Sequence, residues 1–289
     1  MKRDDFSVLR GSASPTALRA DVEFARAQDG TSYVSKNHVG YPFHIGRTLE
    51  LQGDPEGMTS LYLQSCSGGL FEHDCVNARF TAREGALAHV STGASTIVHR
   101  MQEGEAKQRV DLRVRSNALL EYLPEPTILF TGSRLRSRLS VQIAESAVCI
   151  AGDAFLLHDP HGKGGKFDWF DATTEVIDDE NVLLARDHQR MTGSDFQNSR
   201  PGVLGRWRVV GTLIFALRGN RIETLLDAVR EPLENTPGLY ASASRLPNGC
   251  GLWARLLAED AIALRAGWHA AWAAARTVLT GVTPRPRRR

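Results

Sequence analysis

An apolar/polar alternation with a period of two dominates the chain from about Leu18 to Val210. In VDLRVRS, Val110, Leu112 and Val114 fall on one side and Asp111, Arg113 and Arg115 on the other. In RLRSRL, Arg134, Arg136 and Arg138 share a face opposite Leu135 and Leu139. The runs Leu49–Gln52, Leu61–Gln64, Val141–Ile143 and Val182–Leu184 continue the theme. Successive residues of a strand point to opposite faces, so this rhythm predicts half-buried strands, mostly antiparallel. Turn sequences cut it into short pieces at Gly53–Gly57, Ser67–Gly69, Arg83–Gly85, Glu103–Glu105 and Asp178–Asn181. The expected fold is mainly β, an irregular β-helical or sandwich-like stack, since many short strands also suit a sandwich or barrel. No fixed-length repeat marks a regular solenoid.

The rhythm changes in the last third. Ile222, Leu225, Leu226, Val229 and Leu233 recur at helical spacing between Asn220 and Asn235. A strand-like piece, Gly238–Leu246, follows. Then Leu257, Ala261, Leu264, Trp268, Trp272, Ala275 and Leu279 form one apolar stripe, predicting a long helix packed on the β core. Gly267 inside it costs about 1 kcal/mol relative to Ala, which predicts a close packing contact there. The expected organisation is a flexible lead-in (1–17), one domain (18–280) and a basic flexible tail (281–289). The domain divides into a β-rich body to about 218 and a helical part over 219–280.

The 289 residues are 42% hydrophobic, enough for one large core. A net charge of +2 gives no strong pull toward nucleic acid or membrane. The PRPRRR tail lacks the interleaved aromatics of a single-strand binder. Cys66, Cys75, Cys149 and Cys250 form no CxxC pair and read as reduced thiols. With no apolar leader and no long apolar run, the expectation is a soluble cytoplasmic protein.

Groups able to do chemistry gather in three strings: GGLFEHD (Gly68–Asp74), STGASTIVHR (Ser91–Arg100) and LEYLPEPTILF (Leu120–Phe130). Glu72, His73, Asp74 and Cys75 are consecutive, and each can ligate a transition metal when deprotonated. One regular strand cannot aim all four at one ion. The plainer reading is a polar turn feeding a strand that starts at Cys75. His99 ends an apolar stretch, where a lone histidine is more often hydrogen-bonded structure than a ligand. Glu121 lies between Leu120 and Tyr122 and needs a partner, because an unpaired buried carboxylate is costly. Pro124 and Pro126 restrict strand pairing. Asp153 and Asp187 follow apolar runs and also fit ordinary turns. The glycine-rich His158–Asp168 lacks phosphate-loop order and reads as a surface hairpin loop. No GxSxG, HExxH or dinucleotide fingerprint is present. A β-rich metal-dependent hydrolase using His73, Asp74 and His99 stands as the enzymatic alternative.

Taken in order, the three strings resemble the urease accessory protein UreD (UreH) family. Its pattern is a Gly-Gly element followed by an acid, a Thr/Ser-rich strand ending in (Y/H)-R, and L-E-x-L-P-x-P-x-I-x-F. The likeness extends to YPFHIGR (Tyr41–Arg47), AGDAF and the segment Gly251–Arg265, which is taken as the helical end. It implies a β-helical fold with two helices near the C-terminus. It implies a non-enzymatic protein that binds apo-urease and UreF, and through UreF the GTPase UreG. No tightly bound cofactor is implied, only nickel in transit through an internal polar passage. The matching passage positions are Asp74, Thr96, His99, Asp153 and Asp187, with Glu72, His73, Cys75 and Glu121 as secondary candidates. Weak oxygen and imidazole ligands suit such a role, since they pass a cation without trapping it. Two departures stand out: family members usually carry Gly at the place of His73, and often Glu at Asp187.

Overall fold

The computed structural model describes residues 18–197 and 202–285. The lead-in 1–17 and the last four residues of the basic tail lie outside the described residues. In chain order the strands of the first half are β1 (Ala20–Arg26), β2 (Ser32–Val39), β3 (Phe43–Ile45), β4 (Thr59–Ser65), β5 (Cys75–Ala82), β6 (Leu87–Thr92), β7 (Ile97–Val98), β8 (Ala106–Val114), β9 (Leu119–Leu123) and β10 (Thr127–Phe130). The second half holds β11 (Arg134–Ile143), β12 (Val148–His158), β13 (Trp169–Asp178), β14 (Leu183–Met191), α1 (Gly193–Gln197), β15 (Val209–Ala216), α2 (Ile222–Asn235), β16 (Leu239–Arg245), β17 (Gly251–Ala258) and α3 (Ala261–Thr280).

From β4 to β13 the chain winds between two sheets. One has the order β14-β13-β11-β8-β5-β1-β2, the other β16-β17-β15-β12-β9-β6-β4-β3. Each winding strand lies parallel to its counterpart one coil earlier, as in β5 with β8, β8 with β11, β6 with β9 and β9 with β12. A short third face forms where β7 pairs β10 and β10 pairs the end of β12. The stack is therefore solenoid-like. Antiparallel pairing, expected to dominate, is found at both edges of the first sheet and, in the second, at β3–β4 and along β12-β15-β17-β16. Alternation reports one buried and one wet face; a parallel coil with a solvated outer face shows it just as an antiparallel sheet does.

Leu112, Val141 and Phe80 of the first sheet meet Leu61, Leu120 and Tyr122 of the second in one core between the sheets. A second core lies on the outer face of the other sheet, beneath α2 and α3. The segment Gly251–Ala258, expected to be helical with Leu257 in the stripe, is strand β17. The helix starts after Asp260, whose side chain accepts from the backbone N–H groups of Ile262 and Ala263. The loop 158–168 crosses from β12 in one sheet to β13 in the other and is not a hairpin. Asp153 and Asp187 lie within strands, not in turns. Leu49 makes only an isolated bridge, so LELQ is no strand.

Glycines seat α3. A Cβ on Gly267 would stand 2.4 Å from Leu239, the expected close contact, and one on Gly152 would stand 2.0 Å from the Trp268 ring. The Trp268 ring is rigid and 9% exposed. Gly152→Ala is therefore expected to cost about 1–3 kcal/mol as overpacking. A denaturation midpoint unchanged from wild type would show that α3 has room to shift.

Candidate functional site: a polar cavity between the sheets

The inner face of the second sheet carries no charged residue along β4, β6 and β9 before the coil reaches β12. There Ala151 and Phe155 join the packed interior while Asp153, between them on the same face, opens into a cavity between the sheets. Thr92, Thr96, Tyr122, Glu125 and Thr127 add polar groups to its wall, and Leu63, Val110 and Leu139 supply apolar surface. Centres of water-sized solutes have ≈ 50 Å³ to move in. That is room for a few waters. Burial pushes the Asp153 carboxyl up to about 6, against weaker lowering by the Ala154 N–H and by Arg255. Hydroxyls and one tunable carboxylate offer transient oxygen ligands without a cage.

Asp187 reaches the same region from the other sheet. It lines a cleft of ≈ 230 Å³ at the open edge of the stack, with Thr174, Ile214, Arg245 and Trp253. Its Oδ2 accepts from Arg255 Nη2 at 3.1 Å, and Arg255 Nη1 donates to Thr212 Oγ1 at 3.1 Å. Thr212 is the direct cross-strand neighbour of both Asp153 and Arg255. Sequence reasoning missed Arg255 because its segment was taken as helix. The alternation Trp253, Arg255, Leu257 would have placed it.

The other candidates lie elsewhere. Asp74 closes the turn before β5: its Oδ2 accepts from the Phe71 N–H at 2.8 Å. Glu72 Oε1 accepts from the backbone N–H groups of Glu103 and Gly104, which hold its carboxyl below the usual range. His73 is exposed at φ 67°, the left-handed conformation that favours glycine. The Gly that the resemblance leads one to expect here would suit this backbone. Cys75 opens β5 and is half-buried, as the plainer reading expected. His99 lies on the third face, its ring stacked on Phe71 at 4.3 Å and edge-on to Phe130 at 5.6 Å. Among the described residues no group of three or more His, Cys, Asp or Glu is placed to hold one ion. His73, Asp74 and His99 thus form no hydrolase ligand set.

Glu121 faces away from the cavity, toward α3. It is fully buried, and Arg276 Nε donates to its Oε1 at 2.8 Å. His89 Nδ1 lies 2.6 Å from Oε2, and Arg276 Nη1 reaches Asp54 Oδ1 at 2.6 Å. An ionised Glu121 only accepts, so His89 carries its proton on Nδ1. The partners expected for Glu121 are His89 and Arg276, one of two arginines in the C-terminal helix.

The family model for the UreD urease accessory protein matches residues 16–289. The chain belongs to the UreD family. Urease accessory protein UreD 1 of Pseudomonas syringae pv. syringae (strain B728a) is 45% identical over 274 residues, covering 95% of this chain and 96% of the relative. Its namesake in Methylorubrum extorquens (strain PA1) is 33% identical over 283 residues, covering 95% and 93%. Urease accessory protein UreD of the archaeon Haloarcula marismortui is 34% identical over 260 residues, covering 90% and 86%. UreD membership makes the broad role an accessory one in the service of urease. Among the described residues, no helix is long and apolar enough to cross a membrane.

Proposed function

We propose that this UreD-family chain binds apo-urease together with UreF, and through UreF the GTPase UreG, and passes nickel to the urease active site. The chain acts as scaffold and conduit, not as catalyst, and does so in the cytoplasm. The observation that carries the conduit is the cavity between the sheets, largely apolar in lining, into which Thr92, Thr96, Gln108, Thr127, Ser137 and Asp153 bring polar groups. Oxygen donors spread along such a cavity bind a divalent cation weakly enough to release it. Asp187 belongs to the adjoining cleft and would extend the route to the edge of the stack. Asp74 and His99, on the turn and the third face, serve the route only as parts of a docking surface near its start.

Co-purification tests this reading. The chain, co-expressed with apo-urease and UreF, is expected to elute with both, and urease matured in its presence to contain more nickel than urease matured without it. Failure to associate with either protein defeats the scaffold reading. Normal nickel content without the chain defeats the conduit.

A further inference from the structure

Arg255 lines neither of two spaces but contacts residues beside both: Asp187 of the cleft, and Thr212 next to Asp153. The Asp153 cavity is enclosed between the sheets, and the Asp187 cleft opens at their free edge. Arg255 is on β17 in one sheet and Asp187 on β14 in the other, so their ion pair ties the sheets across the gap. Gln189 Nε2 reaches Thr212 Oγ1 at 3.5 Å, a second inter-sheet tie beside it. The guanidinium is held from below by the Trp253 ring, 4.9 Å from its centroid. Thr212, which Arg255 contacts, adjoins Asp153 in the strand register. Along the row Asp153, Thr212, Arg255, the guanidinium is the group that pairs with Asp187 of the facing sheet.

We propose that Arg255 closes the route between the Asp153 cavity and the Asp187 cleft to cations, occupying the place between the two carboxylates that a passing divalent ion would take. This rests on the reading of the cavity as a nickel route. A guanidinium donates only and cannot ligate a metal. While it holds Asp187 Oδ2, it offsets that carboxylate's charge and takes one of its oxygens, and a positive charge beside the route repels cations. Arg255 and Asp187 are each partly exposed, at 32% and 27% of the side chain, so the pair can part toward solvent without unpacking a core. Passage then requires the arginine to swing aside, and Asp187 becomes a ligand only when it does.

Access to position 153 tests the proposal without any nickel readout. The full chain carries Asp153→Cys in a background with the exposed and half-exposed thiols removed, Cys66→Ser and Cys75→Ser. Two methanethiosulfonate reagents of similar size, one a quaternary ammonium and one a sulfonate, are reacted with the thiol at 153. Arg255→Met keeps length and removes charge; Arg255→Gln replaces it if the methionine variant does not fold. Either is expected to raise the cation-to-anion rate ratio by about tenfold or more, and Arg255→Lys to leave it within about twofold. An unchanged ratio in the neutral variants overturns the proposal, as does a thiol that stays unreactive in all of them. The two readings fail separately. A changed ratio with normal nickel loading in Asp153→Asn keeps the gate and rejects the nickel route.

Discussion

Replacing Arg276 by Ala is expected to lower the stability of this fold by about 3–5 kcal/mol, the usual cost of orphaning a buried ion-pair partner. Arg276 is 0% exposed, and it satisfies Glu121 on both oxygens, Asp54 and the Gly53 carbonyl while lying 4.5 Å from the Trp272 ring centroid. Without it, Glu121 loses guanidinium hydrogen bonds on both oxygens and Asp54 loses its ion pair. For a domain of this size the melting temperature should fall on the order of 10 °C. The pH dependence carries a sign. Burial alone raises the Glu121 carboxyl, but hydrogen bonds from His89 and Arg276 outweigh it and bring the value down to about 2. The folded value thus lies below the unfolded one of roughly 4.3. The stabilisation is complete above about pH 5 and is lost as pH falls toward 2. Melts of Arg276→Ala against wild type should therefore differ most near pH 7 and converge only as pH falls toward 2. A loss under about 1 kcal/mol at neutral pH would mean that water reaches the network.

Much of this fold was legible because burial leaves a pattern in sequence. Val110, Leu112 and Val114 do point inward, and the arginines of β11 do line the outer face. Pairing direction was not legible. A coil that wets its outer face has the same alternation as a hairpin sheet, and only the order in which strands revisit each sheet separates them. Leu257 was misassigned because a strand residue at the end of β17 falls by chance in helical phase with Ala261 and Leu264. Glu121 announced that it needed a partner, but its partner is 155 residues away, and nothing local names it. The candidate site divides in the same way. The family-like strings pointed to Asp74, Thr96, His99 and Asp153 alike, but only Thr96 and Asp153 reach the cavity wall, beside Tyr122 and Thr127 brought there by successive coils. Convergence of that kind is set by register, which short motifs do not encode.

Asp153→Asn is expected to make the protein more stable and less able to serve nickel transfer at once. Burial lifts the Asp153 carboxyl to about 6, above the unfolded value of roughly 3.9, so the fold prefers it protonated. That preference strengthens the fold below pH 4 relative to neutral pH. The advantage shrinks as pH rises through 4 to 6, and above 6 the folded protein carries the cost of a half-buried, poorly compensated carboxylate. Asparagine keeps the shape and removes that charge. Water in the cavity screens part of the cost, so the gain at pH 7.5 should be about 1–2 kcal/mol, vanishing near pH 4. The same change removes the one acid on the cavity wall that ionises near neutrality. Nickel transfer to apo-urease in the reconstituted assembly should rise with an apparent pKa of about 6 in wild type. In the variant it should be about tenfold lower and flat over that range, if the loss of one charged ligand raises the barrier by about 1.4 kcal/mol. Complex formation should be unchanged. A stabilised variant with wild-type transfer would make Asp153 a buried charge without a task; a destabilised one would mean that its carboxylate holds the sheets together. Stability given up at a single residue in exchange for an ionisable group is what a conduit requires and a plain scaffold does not.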